Sequence, residues 1–454
     1  MRDATHAETL AAWLAATTPE NIPASATEMA RKLLLDVSGL CVAARRETYV
    51  SATLATVDRG PCTAVGHAGG VDAFGAALVN GTAAHGEDFD DTFEGGPVHS
   101  GAVIVPAVLA ACERDGLGGD RLLAGIVTGT ELLCRLSLVA PKATHKAGFH
   151  PTAVFGALAA AGAAGVALRL PLEAIVSALG IAGSMASGII EYLAEGTWTK
   201  RMHAGWAAQS GLRAALMARG GFLGPRTVLE GPHGFFKAFA PSVAPDFGKL
   251  LDGLGRTWLM ETVAFKPYAC GTMTQPFIDC AIELAREGAR AEDITGIVCE
   301  VAEGTVHRLW EPLSDKQRPP TPYAAKFSTP FCMAVGFVDR KAGFAQFTEP
   351  RIQDPGVRAM AAKIRYVVNP KDDYPRNYSG HLRATFADGR QREFRQPFMR
   401  GGAHAPLPTA ELEAKFMDNV LYGGWSRASG ERLQRLSHDL FAHPTLAALS
   451  EVRS

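Results

Sequence analysis

The sequence predicts a mostly α-helical protein with an inserted α/β segment. Three observations lead there: helical apolar periodicity from residue 1 to about 260, strand-like alternation after about residue 262, and a return to helical periodicity from Thr409 to Leu449. A chain of 454 residues is also long for one core, so two domains are expected. The predicted division gives residues 1–262 and 397–454 to a large helical domain and 263–396 to a smaller α/β domain.

Each element has its own signal. Leu172, Ile175, Val176 and Leu179 recur at i, i+3, i+4 and i+7 behind Pro171, which suits a helix start. Ala204 to Arg219 is alanine-rich and stops at Gly220-Gly221. Small residues on such helices permit close crossings. Ile294 to Val301 alternates like a strand, and Tyr323 to Gly336 reads as a helix behind the breaker Pro319-Pro320-Thr321-Pro322. His381–Phe386 and Arg390–Phe394 bracket Asp388-Gly389, a hairpin signature. The tail is expected to pack back on the first domain.

Composition narrows the function classes. Forty-five basic and 46 acidic residues give a net charge of −1, which offers no footprint for nucleic acid or an anionic membrane. Eight scattered cysteines lack any Cys-x-x-Cys pair, as expected of buried thiols in a reducing compartment. The first 26 residues are unlike a secretory signal, and the small-residue run Val154–Leu168 is too short for a bilayer. A cytoplasmic protein without membrane or nucleic-acid partners is expected.

The densest chemistry lies between His85 and His99, where His85-Gly-Glu-Asp-Phe-Asp-Asp-Thr92 precedes Phe93-Glu94 and a Gly-Gly-Pro loop. If residues 85–92 are helical, His85, Asp88 and Thr92 share a face while Glu87 and Asp91 point elsewhere. Asp90 and Asp91 read as structural residues that cap or pair with arginines. His99 precedes Ser100-Gly101 and an apolar run, and His150 precedes Pro151, so both are expected at helix N-termini, where the dipole favours a neutral imidazole. Lys200 stands beside Arg201 and three residues before His203, placing donors on one helical turn. Lys266, between Phe265 and Pro267, falls at the predicted domain junction. His and Asp at these spacings also suit a divalent cation, but no second ligand cluster follows, and no metal is expected. The same lack argues against a metal-dependent prenyl-transfer enzyme, since Lys371-Asp372-Asp373 lies in the strand-rich region.

Four segments in order resemble the MmgE/PrpD family over essentially the whole chain. They are Asp88-Phe-Asp-Asp-Thr92 with His99, Gly148-Phe-His-Pro-Thr152, Thr199-Lys-Arg-Met-His-Ala-Gly205 with Leu229-Glu-Gly231, and Phe265-Lys-Pro-Tyr-Ala-Cys270; Ala325-Lys-Phe-Ser328 adds a weaker match. The resemblance implies a helical domain built from both chain ends, an inserted α/β lid, an active site between them and a homodimer. It implies cofactor-free chemistry on a small di- or tricarboxylate: dehydration of a 2-methylcitrate-like hydroxy acid or decarboxylation of a cis-aconitate-like acid. The alternatives are epimerisation of a dicarboxylate such as iminodisuccinate, or a polycarboxylate-binding protein without catalysis.

By the same resemblance His99 carries proton transfer, helped by Asp88, Thr92 and His150, while Lys200, His203 and Lys266 hold substrate carboxylates. Such chemistry develops charge on an already anionic substrate, so a metal-free site needs cations and imidazoles near neutrality. Two departures stand out. Gln275 occupies a substrate-binding position where the family often has histidine, and Phe331 replaces a frequent tyrosine; glutamine cannot shuttle a proton, and phenylalanine has no hydroxyl. Gly95-Gly96 before His99 is expected to reshape the pocket loop.

Overall fold

The computed structural model describes residues 3–453. The chain forms two compact units: Met1–Gly86, Asp90–Val263 and Glu413–Ser454 make the first, and Glu87–Phe89 with Ala264–Leu412 make the second.

The first unit is helical. Its principal elements are α1 (His6–Ala16), α2 (Ala24–Ala44), α3 (Ala73–His85), α4 (Gly101–Asp115), α5 (Gly119–Val139), α6 (Pro151–Ala167), α7 (Leu172–Met185) and α8 (Thr199–Arg219). Local chemistry sets their ends. Thr5 and Glu8 form a reciprocal capping box at α1, Asp72 caps α3 through Phe74 N and Gly75 N, and Pro171 leads into α7 as the sequence predicts. Helix α6 is apolar all round and buried along almost its whole length, which fits a core helix packed against α5 and α8. Helix α5 is long and apolar enough to cross a membrane, yet it is buried in the fold and carries a Glu131–Arg135 ion pair at 2.6 Å.

Helices Thr409–Tyr422 and Arg427–Asp439 follow the second unit. From the first of them, Lys415 reaches buried Asp36 at 2.7 Å, and Phe416 packs under α2 at Gly39. The tail therefore packs on α2.

The second unit holds a four-stranded sheet of Ile294–Val301, Ile364–Val368, Gly380–Phe386 and Gln391–Gln396, named β1 to β4. The order is β2-β1-β3-β4, with β1 parallel to β2 and the remaining pairs antiparallel. The predicted hairpin joins β3 to β4, and Gly389 takes the left-handed φ of +83° that its turn requires. Helices Gln275–Arg286 and Thr329–Asp339 pack together, the former against β3.

Two sequence expectations change. The helix expected over Tyr323–Gly336 is broken: Pro322–Ala325 forms one turn, and a new helix starts at Thr329, where Ser328 accepts from Phe331 N and Pro330 sits in the first turn. Residues 397–412 group with the second unit, whereas the sequence assigned 397 onward to the helical domain. Arg400 pairs with Asp279 at 2.9 Å, and Phe265 N donates to Gly401 O at 3.0 Å, fixing this segment there.

Candidate functional site

Helices α3 and α8 cross at two glycines. A Cβ on Gly81 would lie 2.5 Å from Gly205 Cα, and one on Gly205 would lie 2.1 Å from the Leu78 carbonyl, so this approach demands glycine at both. One turn beyond Gly81 stands His85, the last residue of α3; just before Gly205 stands His203, with Lys200 a turn earlier. The crossing brings the ends of both helices to one buried cluster.

Residues 85–92 are not one helix. Helix α3 ends at His85, Asp88 takes a left-handed φ of +56°, and Thr92-Phe93 is extended and buried. The shared face expected for His85, Asp88 and Thr92 therefore does not exist. The turn instead folds Asp90 back onto its own helix end, where Asp90 Oδ2 lies 2.7 Å from His85 Nδ1 with both side chains fully buried. Asp90 was expected to be structural, through capping or pairing with arginine; it pairs with histidine because the helix stops before it.

Asp91 does cap. Its carboxylate accepts from Ser100 N at 2.9 Å, Ser100 Oγ at 2.7 Å and Gly101 N at 2.8 Å, closing the N-terminus of α4. Burial and the neighbouring Asp90 push it up to about 7, against the pull of those donors. Its backbone carbonyl accepts from His99 Nδ1 at 2.7 Å. A carbonyl cannot donate, so His99 carries its proton on Nδ1 and leaves Nε2 as the basic atom. Asp90 Oδ2 lies 3.7 Å from the same Nδ1, and His99 N donates to Thr152 Oγ1 at 3.2 Å.

His150 is the N-cap residue of α6, held by a bridge between Phe149 and Ile189 in which His150 N donates to Gly188 O at 2.9 Å. Its Nδ1 lies 3.2 Å from His203 Nδ1, so one ring donates and the other accepts. Burial holds His150 well below the ordinary histidine range, and the charges of His85 and Lys200 add to it. Burial, then His85 and Lys200, bring His203 down to about 3. His203 is thus a neutral hydrogen-bonding ring beside Lys200. The four imidazoles form a chain, with ring centroids 5.0 Å apart for His85 and His99, 5.5 Å for His85 and His150, and 5.3 Å for His150 and His203.

The second unit gathers a different set. Lys266, fully buried, donates to the Asp88 carbonyl at 2.9 Å, and Tyr323 OH donates to Asp88 Oδ2 at 3.0 Å. Lys326, also buried, donates to Glu87 O at 2.9 Å and pairs with Glu87 Oε2 at 2.7 Å. Gln275 stands apart from these. Its Oε1 accepts from Tyr268 N, and its Nε2 donates to Tyr268 O and Cys270 O, so both amide protons serve the 268–270 loop. The substrate contact expected of it gives way to a role in loop structure. Phe331 is core, packed near Phe347.

Sequence reasoning missed the pairing of His85 with Asp90 and of Lys326 with Glu87. The spacing of five between His85 and Asp90 matches no helical face, and only the helix stop makes it short. His85, Asp90 and His99 each offer one ligand atom, all within 4.8 Å, so among the described residues they are a group that could hold a small cation. The Nδ1 atoms of the two histidines are already engaged, by Asp90 and by the Asp91 carbonyl.

The family model described as the MmgE/PrpD N-terminal domain matches residues 8–247, and that of the MmgE/PrpD C-terminal domain matches 268–436. A cis-aconitate decarboxylase of Aspergillus terreus is 29% identical over 437 residues, covering 89% of this chain and 87% of its own. Cis-aconitate decarboxylases of Homo sapiens and Mus musculus are 30% and 29% identical over 362 and 361 residues, each covering 76% of this chain and 72% and 71% of their own. With family models spanning most of its length, the chain belongs to the MmgE/PrpD family of enzymes.

Proposed function

We propose that this protein is a cofactor-independent lyase of small di- or tricarboxylates, and that decarboxylation of a cis-aconitate-like acid is its first candidate reaction. The observation that carries the reading is the His99 tautomer: Nδ1–H is held by the Asp91 carbonyl at 2.7 Å, which turns Nε2 into the proton-transfer atom. A proton taken at Nε2 is balanced by the Asp90 carboxylate, 3.7 Å from Nδ1.

In the proposed reaction the electron pair of the breaking C–C bond becomes a new C=C bond as CO₂ leaves, and the π pair of the existing double bond is displaced to its far carbon, where it takes the Nε2 proton of His99. Dehydration of a hydroxy acid would use the same atom in the other sense, as a base. Lys200 and Lys266 are assigned to substrate carboxylates. Neutral His150 and His203, with Thr92, supply hydrogen bonds, and Asp88 orients the Lys266 side. The names of the relatives favour decarboxylation over dehydration.

A homodimer is part of this reading, supported by the exposed apolar stripe Trp198, Met202 and Trp206 along α8. Eight free, buried cysteines suit a cytoplasmic setting.

Proton NMR in D₂O of the purified protein with cis-aconitate, 2-methylcitrate, citrate and iminodisuccinate, each alone, tests the proposal. New olefinic signals identify a lyase and its substrate. Deuterium uptake into recovered substrate without loss of water or CO₂ would identify an epimerase instead, and silence with all four would refute the reading for these substrates.

A further inference from the structure

The proposed chemistry gives His85 no task, yet its setting is that of a working imidazole. The side chain is fully buried, and its Nδ1 lies 2.7 Å from the equally buried Asp90 carboxylate. Its Nε2 is buried with no hydrogen-bond partner among the described residues. A histidine kept only for packing would be expected to satisfy both nitrogens, because a buried polar atom without a partner costs stability. The ring also stands in the middle of the imidazole chain, 5.0 Å from His99 and 5.5 Å from His150, nearly parallel to the latter at 21°.

A carboxylate on Nδ1 does two things to an imidazole. It fixes the tautomer, so that Nε2 carries the lone pair, and it stabilises the imidazolium formed when Nε2 takes a proton. His85 has a carboxylate at hydrogen-bond distance; Asp90 is 3.7 Å from His99, and His150 and His203 face each other.

We propose that His85, oriented by Asp90, is a positioning residue for proton transfer that reloads His99. When His99 has given its Nε2 proton to substrate carbon, His85, as the imidazolium paired with Asp90, passes on its own Nε2 proton: that N–H bond breaks, its electron pair stays on the His85 nitrogen, and a new N–H bond forms at the His99 Nε2 lone pair. One proton from solvent then restores the His85 imidazolium, with the hydroxide left by that water taken up by the released CO₂ as bicarbonate. The titratable groups around His85 are Asp90 from the turn after α3, His99 before α4, His150 at the start of α6 and His203 from α8. The relay rests on the lyase reading, but the His85–Asp90 dyad itself does not.

The test uses the full chain as wild type, His85→Asn and Asp90→Asn, each checked for folding by circular dichroism. With histidine-selective ¹⁵N labelling, the wild type is expected to show an Nδ1-protonated imidazole that disappears in His85→Asn and becomes a mixture of tautomers in Asp90→Asn. An Asp90→Asn ring spectrum identical to wild type overturns the dyad. With cis-aconitate as substrate, His85→Asn is expected to lower kcat about a hundredfold with KM within about threefold, and Asp90→Asn to displace the pH profile of kcat. A purely structural role would leave that profile in place. A His85→Asn enzyme with kcat within about threefold of wild type and an unmoved profile overturns the relay. Should the wild type turn over no carboxylate, the lyase reading fails by itself, and the nitrogen spectra still decide for or against the dyad.

Discussion

His99 donates its Nδ1 proton to the backbone carbonyl of Asp91 over 2.7 Å, while the Asp91 carboxylate caps the helix that follows His99. One residue therefore fixes both the ring's tautomer and the ring's position. Replacing His99 by Ala is expected to lower kcat by about 10²–10⁴-fold, with the fold retained by circular dichroism. Turnover within a few-fold of the parent would remove His99 from the chemistry.

Lys266 is buried with its ammonium on the Asp88 carbonyl, at a residue held in the left-handed region. Lys266→Met is expected to raise KM about ten- to a hundredfold, the size of a lost charged hydrogen bond of about 1.5–3 kcal/mol. An unaltered KM with lowered stability would mean that the lysine serves only to hold the Asp88 turn.

Acid should destabilise the first unit through its neutral histidines. Unfolded, His203 takes a proton near 6.5; folded, it resists until about pH 3. The unfolded chain binds more protons across that window, so stability falls as pH drops from about 6.5 toward 3, at up to about 1.4 kcal/mol per pH unit for each such group. His150 acts in the same direction. Asp91 opposes them, because a carboxyl raised from 3.8 to about 7 is protonated first in the folded chain, and so gains stability as pH falls through that range. Urea unfolding of wild type and His203→Asn from pH 7 to 5 should show a shallower acid decline in the variant. Parallel declines would contradict a neutral His203.

The crossing of α3 and α8 leaves no room for a methyl group. Gly205→Ala would place Cβ 2.1 Å from the Leu78 carbonyl. It is expected to cost at least about 1–3 kcal/mol and to lower activity by displacing Lys200 and His203. A variant as stable and active as the parent would show that the helices tolerate a wider crossing.

Dialysis against a chelator tests the cation alternative for His85, Asp90 and His99. Activity is expected to be unchanged. Activity lost to the chelator and restored by zinc would make the three residues ligands.

Much of the fold was legible because its signals are local. The i, i+3, i+4 pattern after Pro171, the alternation of Ile294–Val301 and the Asp388-Gly389 turn each depend on neighbours within a few residues, and each element forms where expected. The ordered motifs around Asp88, His150, Lys200 and Lys266 likewise pointed to the family before any contact was known.

The sequence by itself determined a helical fold with an α/β segment, the family, and the set of imidazoles and lysines available for chemistry. Tertiary structure alone decided which groups each of them meets. Asp90 reaches His85 only because α3 stops at His85 and the chain turns back; His203 is neutral only because packing buries it beside His85 and Lys200; Gln275 is engaged only because the 268–270 loop folds over it. Periodicity is set by neighbours along the chain, whereas tautomer, protonation and hydrogen-bond partners are set by groups brought together from distant parts of it.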